Sequence, residues 1–138
     1  VVQSLVYSYV RDRETFNQLD NDVRVRSVLE RSSGPALESM RSLWSSENPD
    51  YPERKYGPRA RMDVEVLSVT LITEDRATVR IRKRLADDDG VTQGLFTVTL
   101  AFRYETTEAR SLDEVWTNPF GFSVYEYGIA SDRLEDHQ

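Results

Sequence analysis

The stretch that decides the fold is NPFGFSVYEY, which occupies residues 118–127. Pro119 fixes its own φ and disfavours the helical region for Asn118, and Gly121 can adopt conformations that a Cβ would hinder. This order of residues is typical of a tight turn. The apolar and polar residues that follow alternate, which predicts a final strand whose register the turn sets. We expect a packed structural turn motif made of Asn118, Pro119, Phe120, Gly121 and Phe122.

Three earlier segments alternate between apolar and polar residues, at 62–71, 77–84 and 96–104, and each is predicted to be a strand. Short polar turns at 73–75 and 87–90 join them into an antiparallel meander. The alternation changes phase near Val66, which predicts a bulge or strong bend, or a strand buried on both faces. A polar stretch then leads to the turn, and the last strand is expected to end at about Ile129.

The first part of the chain has the helical period instead. Apolar residues recur every three or four positions from Val1 to Leu19, which predicts a first helix. On its apolar face we expect Phe16 to lie in the core, whereas Tyr9 fits either the core or a dimer contact. A second helix is expected up to Arg31, and a third from about Pro35, where serine, glycine and proline favour a helix start. Residues 47–58 are predicted to be a loop.

Helices followed by strands predict an α+β domain with one antiparallel sheet and helices packed on one face. The 138 residues are enough for a single domain, 1–138, whose core needs no disulfide or metal. We expect the residues from Ser131 onward to form a mobile tail.

Composition excludes several kinds of site. There is no cysteine, and the one histidine, His137, is the penultimate residue, so a thiolate nucleophile, a histidine triad and a multi-histidine metal site are disfavoured. A net charge of −6 argues against a nucleic-acid partner. No apolar run is long enough to span a membrane. Because the sequence starts at Val1 without methionine, we expect a fragment or processed form whose anchoring segment, if it has one, lies upstream.

Two groups of residues leave a chemical alternative open. Alternation places Arg80, Arg82 and Arg84 on one strand face, where they fit phosphate or RNA, or a solvated face answered by acids at 87–89, which we favour. Asp63 and Tyr104 are the best candidates for the carboxylate base and tyrosine donor of a small-molecule enzyme or ligand-binding domain. Nothing in the sequence indicates that these two side chains converge.

Four segments together resemble the VirB8 family, the bitopic inner-membrane component of type IV secretion systems. They are YVRDRETF at 9–16, the Tyr56–Gly57 pair, the strand pair at 77–81 and 96–104, and NPFGFSV at 118–124. The last resembles the family's Asn-Pro-x-Gly-Phe-x-Val signature. The resemblance covers nearly all of the chain.

The resemblance implies a fold similar to nuclear transport factor 2, with a curved four-stranded antiparallel sheet and N-terminal helices packed on its concave face. It implies a periplasmic domain that follows a single membrane helix, without catalysis and without a cofactor. The implied role is assembly of the secretion channel, through weak homodimers and through contacts with subunits such as the VirB-ten-type scaffold.

Family dimers use the first helix and the end of the last strand. The implied interaction residues here are Tyr9, Arg13, Glu14, Tyr127 and Asp132. The family often ends that strand in Asp-x-Glu, whereas this chain keeps only the final acid in Ala130-Ser131-Asp132. Trp116, just before the turn, is a further candidate for an exposed protein contact.

Overall fold

A computed structural model describes residues 1–104 and 111–132, and it has the α+β architecture expected from the sequence. The helices are α1 (Val2–Glu14), α2 (Asn21–Glu30), α3 (Gly34–Leu43), α4 (Pro52–Tyr56) and α5 (Leu112–Thr117). The strands are β1 (Phe16–Asn17), β2 (Arg61–Thr73), β3 (Arg76–Asp87), β4 (Gly90–Tyr104) and β5 (Phe122–Ser131).

The strands of the described residues form one antiparallel sheet in the order β1-β2-β3-β4-β5. Its four long strands are the expected meander. The expectation of four strands is wrong by one, because Phe16 and Asn17 pair with Met62 and Arg61 at the sheet edge. The expected phase change near Val66 is a bulge, since the β2–β3 register shifts between Val66 and Ser68.

One face of the sheet curls around the N-terminal helices and encloses the main core. The buried face of α1 packs there with one buried residue from α2, two from α3, and alternate residues of β3, β4 and β5. The fully enclosed side chains include Val6, Tyr9, Val10, Val28, Met40, Val79, Ile81, Val98, Leu100, Phe102, Phe122 and Val124. A smaller cluster of Phe16, Ala60 and Met62 closes the end of the sheet where β1 pairs.

Helix α1 ends at Glu14, five residues before the expected end at Leu19. Thr15 is already extended, with φ −75° and ψ 144°. Phe16 keeps the helical spacing of the apolar face but belongs to β1, where it is buried as expected and stacks on Trp44 with ring centroids 6.5 Å apart. Core packing of Phe16 is therefore achieved by a strand rather than by a fourth helical turn.

The basic face of β3 is solvated, but its acidic partners are not the aspartates at 87–89. Arg80 pairs with Asp132 at 3.0 Å and Arg82 with Glu65 at 2.6 Å, both from neighbouring elements of the same convex face. Of the three aspartates, Asp88 pairs instead with Arg59.

Strand β5 runs to Ser131, two residues past its expected end. The backbone N–H of Asp132 donates to the Leu95 carbonyl at 2.9 Å, so the ladder with β4 continues beyond β5. The remainder of the expected tail, residues 133–138, lies outside the described residues.

Candidate interaction site

The end of α1 carries Tyr9 and Arg13 on one helix face, four residues apart. Tyr9 is fully buried, with its hydroxyl 2.7 Å from the Ser32 hydroxyl. Arg13 donates to that tyrosine hydroxyl at 2.8 Å, to the Ala36 carbonyl at 3.2 Å and to the Ser39 hydroxyl at 2.9 Å. Tyr9 is thus inaccessible to a partner in the monomer, and its hydroxyl helps to fix Arg13 by accepting a hydrogen bond.

Arg13 lies against the last strand. Its guanidinium carbon is 4.0 Å from the centroid of the Tyr127 ring, a cation–π distance. Because both terminal nitrogens of the guanidinium group donate hydrogen bonds to α3, the cation is fixed over the ring. This contact ties α1 to the middle of β5.

Glu14 joins three elements of the fold. Its carboxylate accepts the Tyr127 hydroxyl hydrogen bond at 2.6 Å and forms an ion pair of 2.6 Å with Lys83 of β3. Burial raises the pKa of Tyr127 well above its ordinary value, and the Glu14 carboxylate raises it further. Tyr127 is therefore a neutral hydrogen-bond donor at physiological pH.

We call Tyr9, Arg13, Glu14, Lys83 and Tyr127 the α1–β5 cluster. It lies at one side of an open groove of about 430 Å³. The other side of the groove is aromatic, with Phe16, Trp44 and Tyr56, and Ile129 of β5 lies at its rim. Ordered cations, an acid and apolar rings in one concave surface suit recognition of another protein.

Sequence reasoning missed Lys83 as a member of this cluster. The available signal was its position between Arg82 and Arg84, since alternation puts it on the apolar face of β3 opposite Val64. A lysine in that phase needs a buried acidic partner. Glu14 provides it.

Asp132 is not part of the cluster, although it lies only five residues after Tyr127. It accepts hydrogen bonds from Thr97 at 2.9 Å and from Arg80 at 3.0 Å on the convex face. These two bonds lower the pKa of the Asp132 carboxyl. Asp132 thus fastens the end of β5 to β4 and β3.

The turn before β5 has the expected geometry. The Gly121 N–H donates to the Asn118 carbonyl at 3.0 Å, and Gly121 has a left-handed φ of +64°. The Asn118 side chain pairs with both backbone groups of Phe122, donating at 2.8 Å and accepting at 3.1 Å. Phe122 is buried against Phe102, whereas Phe120 is half exposed.

Trp116 lies on α5 and is 77% exposed, beside the exposed apolar residues Leu112 and Val115. The helix starts with a capping box between Ser111 and Glu114. Trp116 precedes the turn in the chain and is not among the residues that line the groove beside the α1–β5 cluster.

The pair proposed for a small-molecule enzyme does not meet. Asp63 lies opposite Arg84 and forms an ion pair with Arg61, whereas Tyr104 is at the far end of β4 opposite Phe122. The concave side between them is filled by buried Met40 and Phe102. Within the described residues, no three histidine, aspartate or glutamate side chains converge to bind a metal ion.

Comparison with known proteins gives this arrangement its context. A model of the VirB8 family, described as VirB8 protein, matches residues 1–132. The chain belongs to the VirB8 family. It is accordingly a VirB8-type component of a type IV secretion system.

Relatives of this VirB8-family chain share both sequence and fold. Type IV secretion system protein PtlE of Bordetella pertussis is 30% identical over 129 residues, which are 91% of this chain and 54% of PtlE. Protein virB8 of Agrobacterium tumefaciens is 26% identical over 99% of this chain and 59% of its own length. The chain thus spans little more than half the length of these relatives.

A solved structure of Agrobacterium tumefaciens VirB8 protein superposes with a TM-score of 0.89 and 22% identity, over 95% of this chain and 90% of that one. The likeness confirms the expected fold, similar to nuclear transport factor 2, with a curled antiparallel sheet around N-terminal helices. None of the helices in the described part of this VirB8-family chain has the length and apolar run that crossing a lipid bilayer requires.

Proposed function

We propose that this VirB8-family domain is a non-catalytic assembly module of a type IV secretion channel, self-associating through the α1–β5 surface. That surface consists of the groove, the members of the α1–β5 cluster that line it, and the outer edge of β5 from Tyr127 to Ser131. Buried Tyr9 supports the surface without being part of it. The observation that carries the proposal is the position of Tyr127. Its ring is held by Arg13 and its hydroxyl by Glu14 on an edge strand, beside an exposed Ile129.

Preorganisation supports this role. A side chain that is already fixed in the free domain loses little conformational entropy on binding. Arg13 and Tyr127 are the residue types that dominate the energy of protein interfaces. The edge of β5 adds backbone groups that a second copy can approach.

The domain is placed, under this proposal, on the periplasmic side of the bacterial inner membrane and tethered by a helix upstream of Val1. The tether raises the effective concentration of the domain, so weak self-association is sufficient for assembly. Other channel subunits, including the VirB-ten-type scaffold, are proposed to use separate surfaces, of which the exposed Trp116 is one.

Sedimentation velocity across a range of concentrations tests self-association. We expect the wild-type domain to sediment faster as its concentration rises, and Arg13→Glu to remain monomeric. Because Arg13 also bonds α3, a second variant, Ile129→Asp, places a charge on the rim without touching those bonds. The matched control is Leu19→Asp, at a residue that is 92% exposed and outside the surface.

The proposal of self-association is contradicted if the wild type shows no concentration dependence. The proposed surface is contradicted if Ile129→Asp and Leu19→Asp sediment alike. Thermal unfolding of all variants shows whether Arg13→Glu remains folded.

A further inference from the structure

Within residues 1–104 and 111–132, the outer edge of β2 has no backbone partner over most of its length. Strand β1 covers only Arg61 and Met62. From Asp63 to Thr73, β2 pairs with β3 on one side, and among the described residues no backbone group bonds to its other side. This edge lies at the opposite margin of the sheet from β5.

The hydrogen-bonding phase of the sheet identifies the groups that point outward. The Phe102 N–H donates to the Asp75 carbonyl at 3.0 Å, which makes these two residues a hydrogen-bonded pair. In an antiparallel sheet such pairs alternate with non-bonded ones. Following this alternation across β3 gives the residues of β2 whose backbone groups point away from β3. Met62 is one of them, and it does pair outward with Phe16 of β1. The residues whose N–H and C=O groups face outward are Val64, Val66, Val69 and Leu71.

This edge has the composition of a strand that accepts another strand. Residues 66–73 read VLSVTLIT, without a charge, proline or glycine. Leu67, Leu71 and Ile72 are 41%, 40% and 58% exposed. Exposed edges that are neutral and rich in β-branched residues are templates for pairing.

Acidic residues flank the neutral run on both sides. Asp63 and Glu65 precede it and are paired with Arg61 and Arg82 on the convex face. Glu74 and Asp75 follow it and form no ion pair within the described residues. No lysine or arginine occurs between Met62 and Asp75.

This charge pattern selects the occupant. A second copy paired antiparallel about the centre of the run would place Glu65 of each chain opposite Glu74 of the other, acid facing acid. An extended segment with a neutral centre and basic ends places opposite charges there instead.

We propose that the β2 edge binds an extended segment of another protein, with a neutral β-forming centre flanked by basic residues, as an added strand. The added strand bonds to the outward groups of Val64, Val66, Val69 and Leu71. This goes beyond the proposed function, because it assigns a second surface and a partner chemistry distinct from self-association through β5.

Titration with the synthetic peptide KKVTVTVKK, followed by amide hydrogen exchange, tests the inference. We expect the peptide to slow exchange of the four outward amides, and the matched peptide EEVTVTVEE to bind about ten-fold more weakly, as opposed end charges require. Equal binding of the two peptides, or no protection by either, would overturn the proposal. Protection that rises with protein concentration alone would identify a second copy as the occupant and overturn it equally.

Two variants at one exposed position check the mechanism. Leu71→Pro removes an outward N–H without removing a bond to β3, and proline is tolerated at such edge positions. Leu71→Thr keeps the N–H. We expect the first to weaken KKVTVTVKK binding about ten-fold relative to the second, and equal binding by both would overturn backbone pairing. Arg13→Glu should bind the peptide as the wild type does. Self-association through β5 and strand addition at the β2 edge can therefore fail independently of each other.

Discussion

At the scale of single residues, Tyr127 combines stability and recognition. Its ring accepts the Arg13 cation on one face, and its hydroxyl supplies one of the two close partners of the Glu14 carboxylate. A phenylalanine at this position would keep the ring and lose the hydroxyl. The two contributions can therefore be measured apart.

Tyr127→Phe should lower the free energy of unfolding by about 1.5–3 kcal/mol at neutral pH, the usual range for a hydrogen bond to a charged group. The pKa of Tyr127 is raised in the fold above its ordinary value of 10.0, so the unfolded chain loses this proton first as pH rises. The stability that protonated Tyr127 contributes is fully present below about pH 10 and is lost as pH rises through the pKa of Tyr127 in the folded state. Urea unfolding of both proteins across this range measures it. A difference that stays constant into strong alkali, or that fades near neutrality, contradicts this account of Tyr127.

Gly121 is required by the left-handed conformation of the turn. Gly121→Ala should cost at least about 1 kcal/mol, because a Cβ disfavours a φ of +64°. The matched control is Gly128→Ala in β5, where an added Cβ meets nothing within 4 Å. Thermal unfolding of both variants should show a loss for the first only, and equal losses would show that the turn conformation is not the cause.

At the scale of elements, the long periodic segments were predictable from sequence and the short ones were not. The strands of the meander could be predicted because their apolar and polar residues alternate. The end of α1 could not be predicted, because Phe16 fits the helical period. Only its tertiary contacts with Trp44 and Tyr56 explain why it lies in a strand. Helix α4 has five residues within an expected loop.

Signals for two missed features were nevertheless present in the sequence. Ser111 and Glu114 have the spacing of a capping box, which marks the start of α5. Lys83 in the apolar phase of β3 indicates a buried acid. The α1–β5 cluster itself needed the fold, because Arg13 and Tyr127 are far apart in the chain and no local pattern joins them.

The end of β5 gives a prediction at this scale. Asp132→Asn should speed hydrogen exchange of the backbone amide of residue 132, which donates to the Leu95 carbonyl. The neutral asparagine side chain lacks the negative charge that attracts Arg80. The pKa of Asp132 is lowered in the fold, so the contribution is present above the ordinary value of 3.8 and is lost as pH falls through the folded pKa. Hydrogen exchange in wild type and variant should therefore differ near neutrality and converge in acid. Equal exchange near neutrality contradicts the role of Asp132 in fastening the strand.

At the scale of the whole molecule, the sheet has two margins with different chemistry, each open over most of its length among the described residues. The β5 margin lies beside an ordered cluster of charges and rings, whereas the β2 margin is neutral with acidic ends. A domain with two such margins can join copies of itself on one side and a different subunit on the other.

Trp116 belongs to a third surface. Trp116→Ala should change the free energy of unfolding by no more than about 0.5 kcal/mol, as is usual for exposed positions. Under the proposed role, the same substitution in the full-length protein should reduce secretion, whereas Leu19→Ala should not. Secretion that is unaffected by Trp116→Ala removes Trp116 from the interaction surface.

The claim that copies of this domain meet at the α1–β5 surface is tested most directly by cross-linking. The chain has no cysteine, so a single Ile129→Cys variant gives one defined reactive site. With a short bis-maleimide reagent at a concentration where sedimentation shows association, we predict covalent dimers of Ile129→Cys in clear excess over Leu19→Cys. Equal yields from the two variants, although Leu19 is the more exposed position, would contradict the claim.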